Sequence, residues 1–129
     1  MPRFNRVLLI EDDPITLLVC ERIIKLTDFA DEVTSTKNGQ EGLDYINDRV
    51  NNSIPLPEII FLDINMPVIN GWEFLDSFGE MINKLPSIPR IYILSSTVDP
   101  EDEKKGISYP YVNQFVSKPL TKEFLLSIS

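Results

Sequence analysis

The 129-residue sequence contains no histidine and only one cysteine, Cys20. A single cysteine cannot form an intrachain disulfide, and a chain without histidine or a second thiol lacks the usual ligands of a zinc site. Cys20 falls beside the apolar stripe of a predicted helix, with no pattern of cationic neighbours that would activate its thiol. We therefore interpret Cys20 as a packing residue, in a chain suited to a reducing cytoplasm.

Positive charge is also scarce, because 12 Lys and Arg face 20 Asp and Glu and leave a formal net charge of −8. Nucleic-acid backbones and anionic lipid surfaces both favour clustered basic residues. We therefore expect neither a nucleic acid nor a membrane as partner, and favour a protein or a cation instead.

Long hydrophobic runs are missing. The apolar run nearest the N-terminus covers only residues 7–10 and ends at Glu11. Such a run is too short for a signal peptide or a membrane-spanning helix. The sequence shows no internal repeat, low-complexity tract or long flexible linker. We expect one domain over residues 1–129, with no attached output domain.

Short apolar runs alternate with amphipathic segments of helical periodicity, which predicts five strands alternating with helices. The predicted strands centre on residues 7–10, 32–36, 59–62, 91–94 and 115–116. Helix starts are indicated by a capping residue before proline or three positions before glutamate, at Asp13-Pro14, Asn38 with Glu41, Asn70 with Glu73, and Asp99-Pro100. We expect most of the polar segment 47–57 to be a surface loop. This alternation predicts a parallel sheet covered by helices on both faces.

Ligands of such sheets bind beyond the carboxyl ends of the strands, where this sequence places polar side chains. The predicted strand ends carry acids, hydroxyls and an amine, namely Glu11-Asp12-Asp13, Asp63, Ser95-Ser96 and Ser117-Lys118. Clustered carboxylates favour a divalent cation, and Asp12 and Asp63 could ligate Mg²⁺ or Mn²⁺. Lys118 and Ser95 would complete a site for an anion such as a phosphoryl group, with Asp63 beside it as nucleophile.

These residues resemble the receiver domains of bacterial two-component response regulators, whose simplest members are single-domain, chemotaxis-type regulators. The resemblance rests on Glu11-Asp12, on Asp63-Ile64-Asn65-Met66-Pro67 followed by Gly71, on Ser95, and on Lys118-Pro119. It implies a flavodoxin-like α/β fold, a doubly wound five-stranded parallel sheet of the (βα)5 type with strand order 2-1-3-4-5.

The resemblance also implies roles for individual residues. Asp63 would accept a phosphoryl group from a sensor histidine kinase or a histidine phosphotransfer protein. Asp12 would ligate Mg²⁺ directly, Glu11 would do so through water, and the backbone carbonyl of Asn65 would complete the protein ligands. Lys118 would pair with the phosphoryl group and Ser95 would hydrogen-bond to it. Phe115 stands where the family usually has a switch aromatic, and it has no hydroxyl group.

Three consecutive acids offer two possible metal-binding pairs. Asp13 precedes Pro14, so a helix cap explains it without a metal, and we assign Glu11 and Asp12 to the cation. We also interpret Trp72 as packed against a neighbouring loop, with no function of its own.

Two other functions compete with a phosphorylated switch. An aspartate-nucleophile phosphohydrolase would need a second aspartate where this sequence has Asn65, so we expect only self-catalysed phosphotransfer and dephosphorylation. A flavodoxin-like cofactor carrier would need a loop rich in glycine or hydroxyl groups where Glu11 and Asp12 stand, and an unphosphorylated pseudo-receiver would lack a key residue. We expect a downstream protein partner, or a homodimer, at the face of the fourth helix, fifth strand and fifth helix.

Overall fold

The computed structural model describes residues 3–64, 66, 70–96 and 99–128. Strands and helices alternate along the chain, as the periodicity predicts. The elements are β1 (Phe4–Ile10), α1 (Pro14–Leu26), β2 (Ala30–Thr36), α2 (Gly39–Asn51), β3 (Ile59–Asp63), α3 (Gly71–Met81), β4 (Arg90–Ser95), α4 (Pro100–Ile107), β5 (Val112–Ser117) and α5 (Lys122–Ser127). A 3-10 turn at Ile82–Lys84 continues α3.

The five strands form one parallel sheet in the order β2-β1-β3-β4-β5, which confirms the predicted fold class. All five residues of the central strand β3 are buried. Ile10 pairs with Leu62, and Ser95 pairs with Ser117. The carboxyl ends of β1, β3, β4 and β5 therefore lie along one edge of the sheet.

Apolar side chains fill the space on both faces of the sheet. On one face Cys20 and Ile24 of α1 and Leu125 of α5 pack against the strands. Burial raises the pKa of the Cys20 thiol to about 11, with a smaller contribution from the negative charge of Glu11, as suits a packing residue. The opposite face is covered mainly by α2 and α3. Because both faces are covered, β3 is apolar without alternation.

Four helices begin at the residues that the capping signals predict. In each case the side chain of the cap accepts a hydrogen bond from a backbone N–H two or three residues later. These caps are Asp13, Asn38, Asn70 and Asp99. Asp13 also accepts from the Thr16 hydroxyl, 2.6 Å away. Both carboxylate oxygens of Asp13 therefore serve the first turn of α1.

The segment 47–57 is a loop over residues 52–57, which is most of it, as predicted, and residues 47–51 form the last turn of α2. Val50 extends the apolar stripe of α2 and packs against the core. Arg49 lies with its guanidinium carbon 4.7 Å from the Tyr45 ring centroid and donates to the Pro55 carbonyl at 2.7 Å. These contacts stabilise a last helical turn that is composed mainly of polar residues.

The longest helices among the described residues are α1 and α2, with 13 residues each. Crossing a bilayer takes a helix of about 20 mostly apolar residues. No helix in the described ranges has the length and apolar composition to span a membrane.

Candidate functional site

Two acids are buried at the carboxyl edge of the sheet. Glu11 and Asp63 are each 3% exposed and lie at the ends of the neighbouring strands β1 and β3. The backbone N–H of Glu11 donates to the carbonyl of Thr36, which fixes the end of β1 against β2. Asp12 is exposed beside them. Burying carboxylates is costly unless a positive charge compensates them.

Lys118 provides that positive charge from the end of β5. Its Nζ lies 3.0 and 3.1 Å from the two carboxylate oxygens of Glu11 and 3.3 Å from Asp63 Oδ1. The lysine side chain is 17% exposed. One ammonium group therefore joins the ends of β1, β3 and β5.

The pKa values of this pair reflect burial and charge together. Burial raises the pKa of Glu11 to about 7, the hydrogen bonds from Lys118 oppose this rise, and the charge of Asp63 adds to it. For Lys118, burial acts to lower the pKa, but the hydrogen bonds to Glu11 and the charge of Asp63 outweigh it, so its pKa is raised. Lys118 thus keeps its positive charge at neutral pH.

The acids are close enough to hold one cation. Glu11, Asp12 and Asp63 each offer a carboxylate oxygen, and these three oxygens lie within 4.8 Å of one another. Carboxylate oxygens are the hard ligands that Mg²⁺ and Mn²⁺ prefer, so the donor set fits such an ion. Asp13 is used as the cap of α1. The expected Asn65 carbonyl lies outside the described residues.

Ser95 and Phe115 lie on the adjacent strands β4 and β5. Ser95 is 1% exposed, and its carbonyl accepts a hydrogen bond of 2.7 Å from the Lys118 backbone N–H. Phe115 is half-buried and packs beneath α4, where a Cβ added to Gly106 would lie 3.0 Å from its ring. The structure therefore places Ser95 next to Lys118 along the edge, and Phe115 between β5 and α4.

Gly71 begins α3 in direct contact with the main chain that follows β3. A Cβ at this position would lie 2.6 Å from Ile64 Cα and 2.9 Å from the Asp63 carbonyl oxygen. The Gly71 N–H donates to the Ile64 carbonyl at 2.9 Å. Only glycine allows this approach, which fixes the start of α3 against the backbone of Asp63.

An aromatic cluster around Trp72 was not predicted from the sequence. Trp72 stacks on Tyr109, with ring centroids 6.2 Å apart and an interplanar angle of 16°. The interpretation of Trp72 as packed against a neighbouring loop did not identify this partner. Residues 72 and 109 are distant in the sequence, so periodicity carries no signal of the pairing.

Comparisons with known proteins agree with this geometry. The family model of the response regulator receiver domain matches residues 7–128. A crystal structure of a two-component response regulator from Cytophaga hutchinsonii is 36% identical, superposes with a TM-score of 0.88, and covers 95% of this chain and 92% of its own. The cell cycle response regulator CtrA of Brucella ovis is 32% identical over 122 residues, which are 95% of this chain and 47% of CtrA.

A further relative is the probable methanogenesis regulatory protein FilR2 of Methanothrix harundinacea. It is 28% identical over 119 residues, or 92% of this chain and 75% of FilR2. This chain thus spans less than half of CtrA and three quarters of FilR2. Receiver domains are signalling domains that interact with histidine kinases or phosphotransfer proteins and bind Mg²⁺ through an acidic cluster. With a family match over nearly its whole length, this chain belongs to the response regulator receiver domain family.

Proposed function

We propose that Asp63 accepts a phosphoryl group from the phosphohistidine of a sensor histidine kinase or a histidine phosphotransfer protein. The phosphorylated form would then bind a different protein partner. One observation carries the proposal: the buried Asp63 carboxylate lies 3.3 Å from Lys118 and beside the carboxylates of Glu11 and Asp12. This arrangement pairs a nucleophile with positive charge for the incoming oxygens.

In the proposed transfer, a carboxylate oxygen of Asp63 forms a bond to phosphorus while the phosphorus–nitrogen bond to the donor imidazole breaks. The imidazole leaves and takes up a proton, and an acyl phosphate remains on Asp63. Mg²⁺ or Mn²⁺, when bound, supplies positive charge that offsets the negative oxygens of the transferred group. Lys118 turns from Glu11 to the phosphoryl oxygens, and the Ser95 hydroxyl donates to one of them.

The proposal assigns the metal to Asp12 and Asp63 as direct ligands and to Glu11 through water. The backbone carbonyl of Asn65 would complete the protein ligands. The clustering of the three carboxylate oxygens within 4.8 Å supports this assignment. The use of Asp13 as the cap of α1 supports the choice of Glu11 and Asp12 among the three consecutive acids.

The output of the proposed switch is read on the face of α4, β5 and α5. A phosphoryl group adds roughly 1.5 to 2 negative charges, and movement of Ser95 towards it would shift the chain that leads into α4. Phe115 lies under α4 and would respond by packing alone, since it has no hydroxyl group. The proposed partner at this face is a downstream protein or a second copy of the chain. The proposal treats residues 1–129 as one receiver domain that acts in the cytoplasm, without nucleic acid or membrane.

Incubation with acetyl phosphate and Mg²⁺, followed by intact-mass analysis and peptide mapping, tests the proposal. We expect one phosphoryl group, on Asp63, and none in Asp63→Asn. Asp44→Asn, at an exposed position of α2, is the matched control and should label like the wild type. Labelling that persists in Asp63→Asn would contradict the assignment. Sustained release of phosphate from an aryl phosphate ester would instead favour a phosphohydrolase.

A further inference from the structure

A cluster of four side chains joins α3 to the chain at the end of α4. The Trp72 ring stacks on Tyr109, and the Lys105 Nζ lies 4.5 Å from the centroid of the Trp72 ring. The Tyr109 hydroxyl donates to Asp76 Oδ1 at 2.9 Å. We call Trp72, Asp76, Lys105 and Tyr109 the aromatic clamp. It combines ring stacking, a cation–π contact and a hydrogen bond between the same two segments.

The rest of α4 is held by few buried contacts. Gly106 is its only buried residue, and Ile107 is 61% exposed. The first turn carries three consecutive acids, at residues 101–103. A helix that buries so little apolar surface gains little from packing, so the aromatic clamp supplies much of its attachment to α3.

The other side of the clamp is attached to the proposed phosphorylation site. Trp72 follows Gly71, whose backbone contacts the main chain of Asp63 and Ile64. At the other end, α4 begins five residues after Ser95, at Pro100. The two ends of α4 are thus tied to two different strand ends of the same site.

We infer that the aromatic clamp is a regulatory contact that holds α4 in its resting position and loosens when Asp63 is phosphorylated. The inference rests on the proposed function. Movement of Ser95 towards the phosphoryl group pulls the first turn of α4, while the clamp holds the chain at its last turn. The movement of the first turn of α4 and the attachment of its last turn therefore oppose each other. By thermodynamic linkage, a variant that weakens the clamp strengthens the binding of a phosphoryl mimic at Asp63 by the corresponding factor.

Trp72 is the only tryptophan of the chain, so its fluorescence reports on the clamp and on the adjoining contact of Gly71 with Asp63. We expect acetyl phosphate with Mg²⁺ to change the Trp72 emission of the wild type beyond the effect of Mg²⁺ alone. The same addition to Asp63→Asn should leave the emission at its Mg²⁺ value. Intact-mass analysis of each sample establishes whether Asp63 carries the phosphoryl group.

Linkage is tested by titrating beryllofluoride in the presence of Mg²⁺ and following the bound fluoride by ¹⁹F NMR, a measurement that does not depend on Trp72. In Tyr109→Leu and Lys105→Gln, we expect the half-saturating concentration to fall about two- to tenfold, the range of aromatic and cation–π contacts. Tyr109→Phe keeps the ring, so its half-saturating concentration should fall less than that of Tyr109→Leu. Arg49→Gln removes a similar cation–π contact, over Tyr45 on α2, and should match the wild type.

The outcomes separate this inference from the proposed function. If the wild type is phosphorylated but Tyr109→Leu binds beryllofluoride like Arg49→Gln, the inference is wrong and the proposed function stands, whether or not the Trp72 emission changes. Weaker binding in Tyr109→Leu would also overturn it, because the clamp would then stabilise the phosphorylated form. If the wild type takes no phosphoryl group, both fail.

Discussion

Lys118 donates to both carboxylate oxygens of Glu11, at 3.0 and 3.1 Å, across 107 residues of sequence. Its contact with Asp63 is longer, at 3.3 Å. The lysine of the last strand therefore serves first as the counter-ion of an acid at the end of the first strand. Under the proposed function, Lys118 must exchange this partner for the phosphoryl group, which leaves the Glu11 carboxylate to the cation.

Lys118→Met should destabilise the protein, because two buried carboxylates lose their shared positive charge. We expect a loss of about 2 kcal/mol in the free energy of unfolding at neutral pH. This is less than the roughly 3–5 kcal/mol for breaking a fully buried pair, since Glu11 can take up a proton instead. Urea denaturation of the variant and of Lys118→Arg, which keeps the charge, measures the effect. Equal stability of Lys118→Met and the wild type would show that the pair contributes nothing.

The pKa of Glu11 predicts a pH dependence of stability. In the folded protein this pKa is about 7, against an ordinary value of 4.5. The folded state therefore binds the proton more tightly than the unfolded chain, and the contribution of Glu11 is present below pH 4.5 and lost as the pH rises to about 7. We expect the free energy of unfolding of the wild type, relative to Glu11→Gln, to fall across this range in metal-free buffer.

One control variant and the pKa directions of two neighbouring groups isolate Glu11 in that experiment. Glu80→Gln, at an exposed position, removes one negative charge from the same acidic protein and should follow the wild-type curve. The pKa of Lys118 is raised, so its contribution to the pH dependence of stability lies above this pH range. The pKa of Asp13 is lowered, so its contribution lies below the range. A difference curve between wild type and Glu11→Gln that is flat from pH 4.5 to about 7 would contradict the raised pKa of Glu11.

Local rules explain why much of the fold was predictable. Asp13 is followed by proline, and Asn70 is followed three positions later by glutamate, which are common signals of a helix start. Both side chains accept the expected hydrogen bonds from backbone N–H groups. The run of β3 is apolar without alternation because helices cover both faces of the sheet. Asp63 and Lys118 meet because parallel strands bring their carboxyl ends to one edge, so topology alone predicts their proximity.

Other features depend on contacts between distant residues, which a single sequence does not reveal. The last turn of α2 is polar, and the contacts that stabilise it, the cation–π contact of Arg49 and its hydrogen bond to Pro55, involve side-chain geometry that the sequence does not show. Trp72 stacks on Tyr109, which lies 37 residues later in the sequence, and no helical or strand periodicity connects two residues at that separation. The preference of Lys118 for Glu11 over Asp63 is a difference of tenths of an ångström, which depends on side-chain packing.

Mg²⁺ titrations distinguish the two possible acid pairs. Asp12→Asn should weaken Mg²⁺ binding by at least about tenfold, because the variant loses a charged oxygen ligand. Asp13→Asn should bind Mg²⁺ almost like the wild type, since asparagine also caps helices and Asp13 is occupied by α1. The rise in melting temperature with Mg²⁺ concentration measures both. A larger loss of Mg²⁺ binding in Asp13→Asn than in Asp12→Asn would make Asp13 the direct ligand and assign the metal to the other pair, Asp12 and Asp13.

Gly71→Ala should disturb both stability and phosphorylation. Its Cβ would lie within 2.6 Å of Ile64 Cα and 2.9 Å of the Asp63 carbonyl oxygen, and these backbone atoms cannot rotate away. We expect a loss of about 1–3 kcal/mol in the free energy of unfolding, as for other overpacked sites. Because the displaced backbone carries the acceptor, labelling of the folded variant by acetyl phosphate should slow by about tenfold or more.

Gly79→Ala is the matched control for Gly71→Ala, because it adds the same methyl group to the same helix. Its Cβ would lie 2.6 Å from the Tyr111 hydroxyl, which donates to the Leu75 carbonyl, so a side chain rather than backbone must shift. Its loss of free energy should be smaller, because alanine is favoured over glycine inside a helix by roughly 0.5–1 kcal/mol. Urea denaturation and the rate of mass change with acetyl phosphate compare the two variants. Equal stabilities and equal labelling rates would show that the contact between Gly71 and Asp63 does not constrain the site.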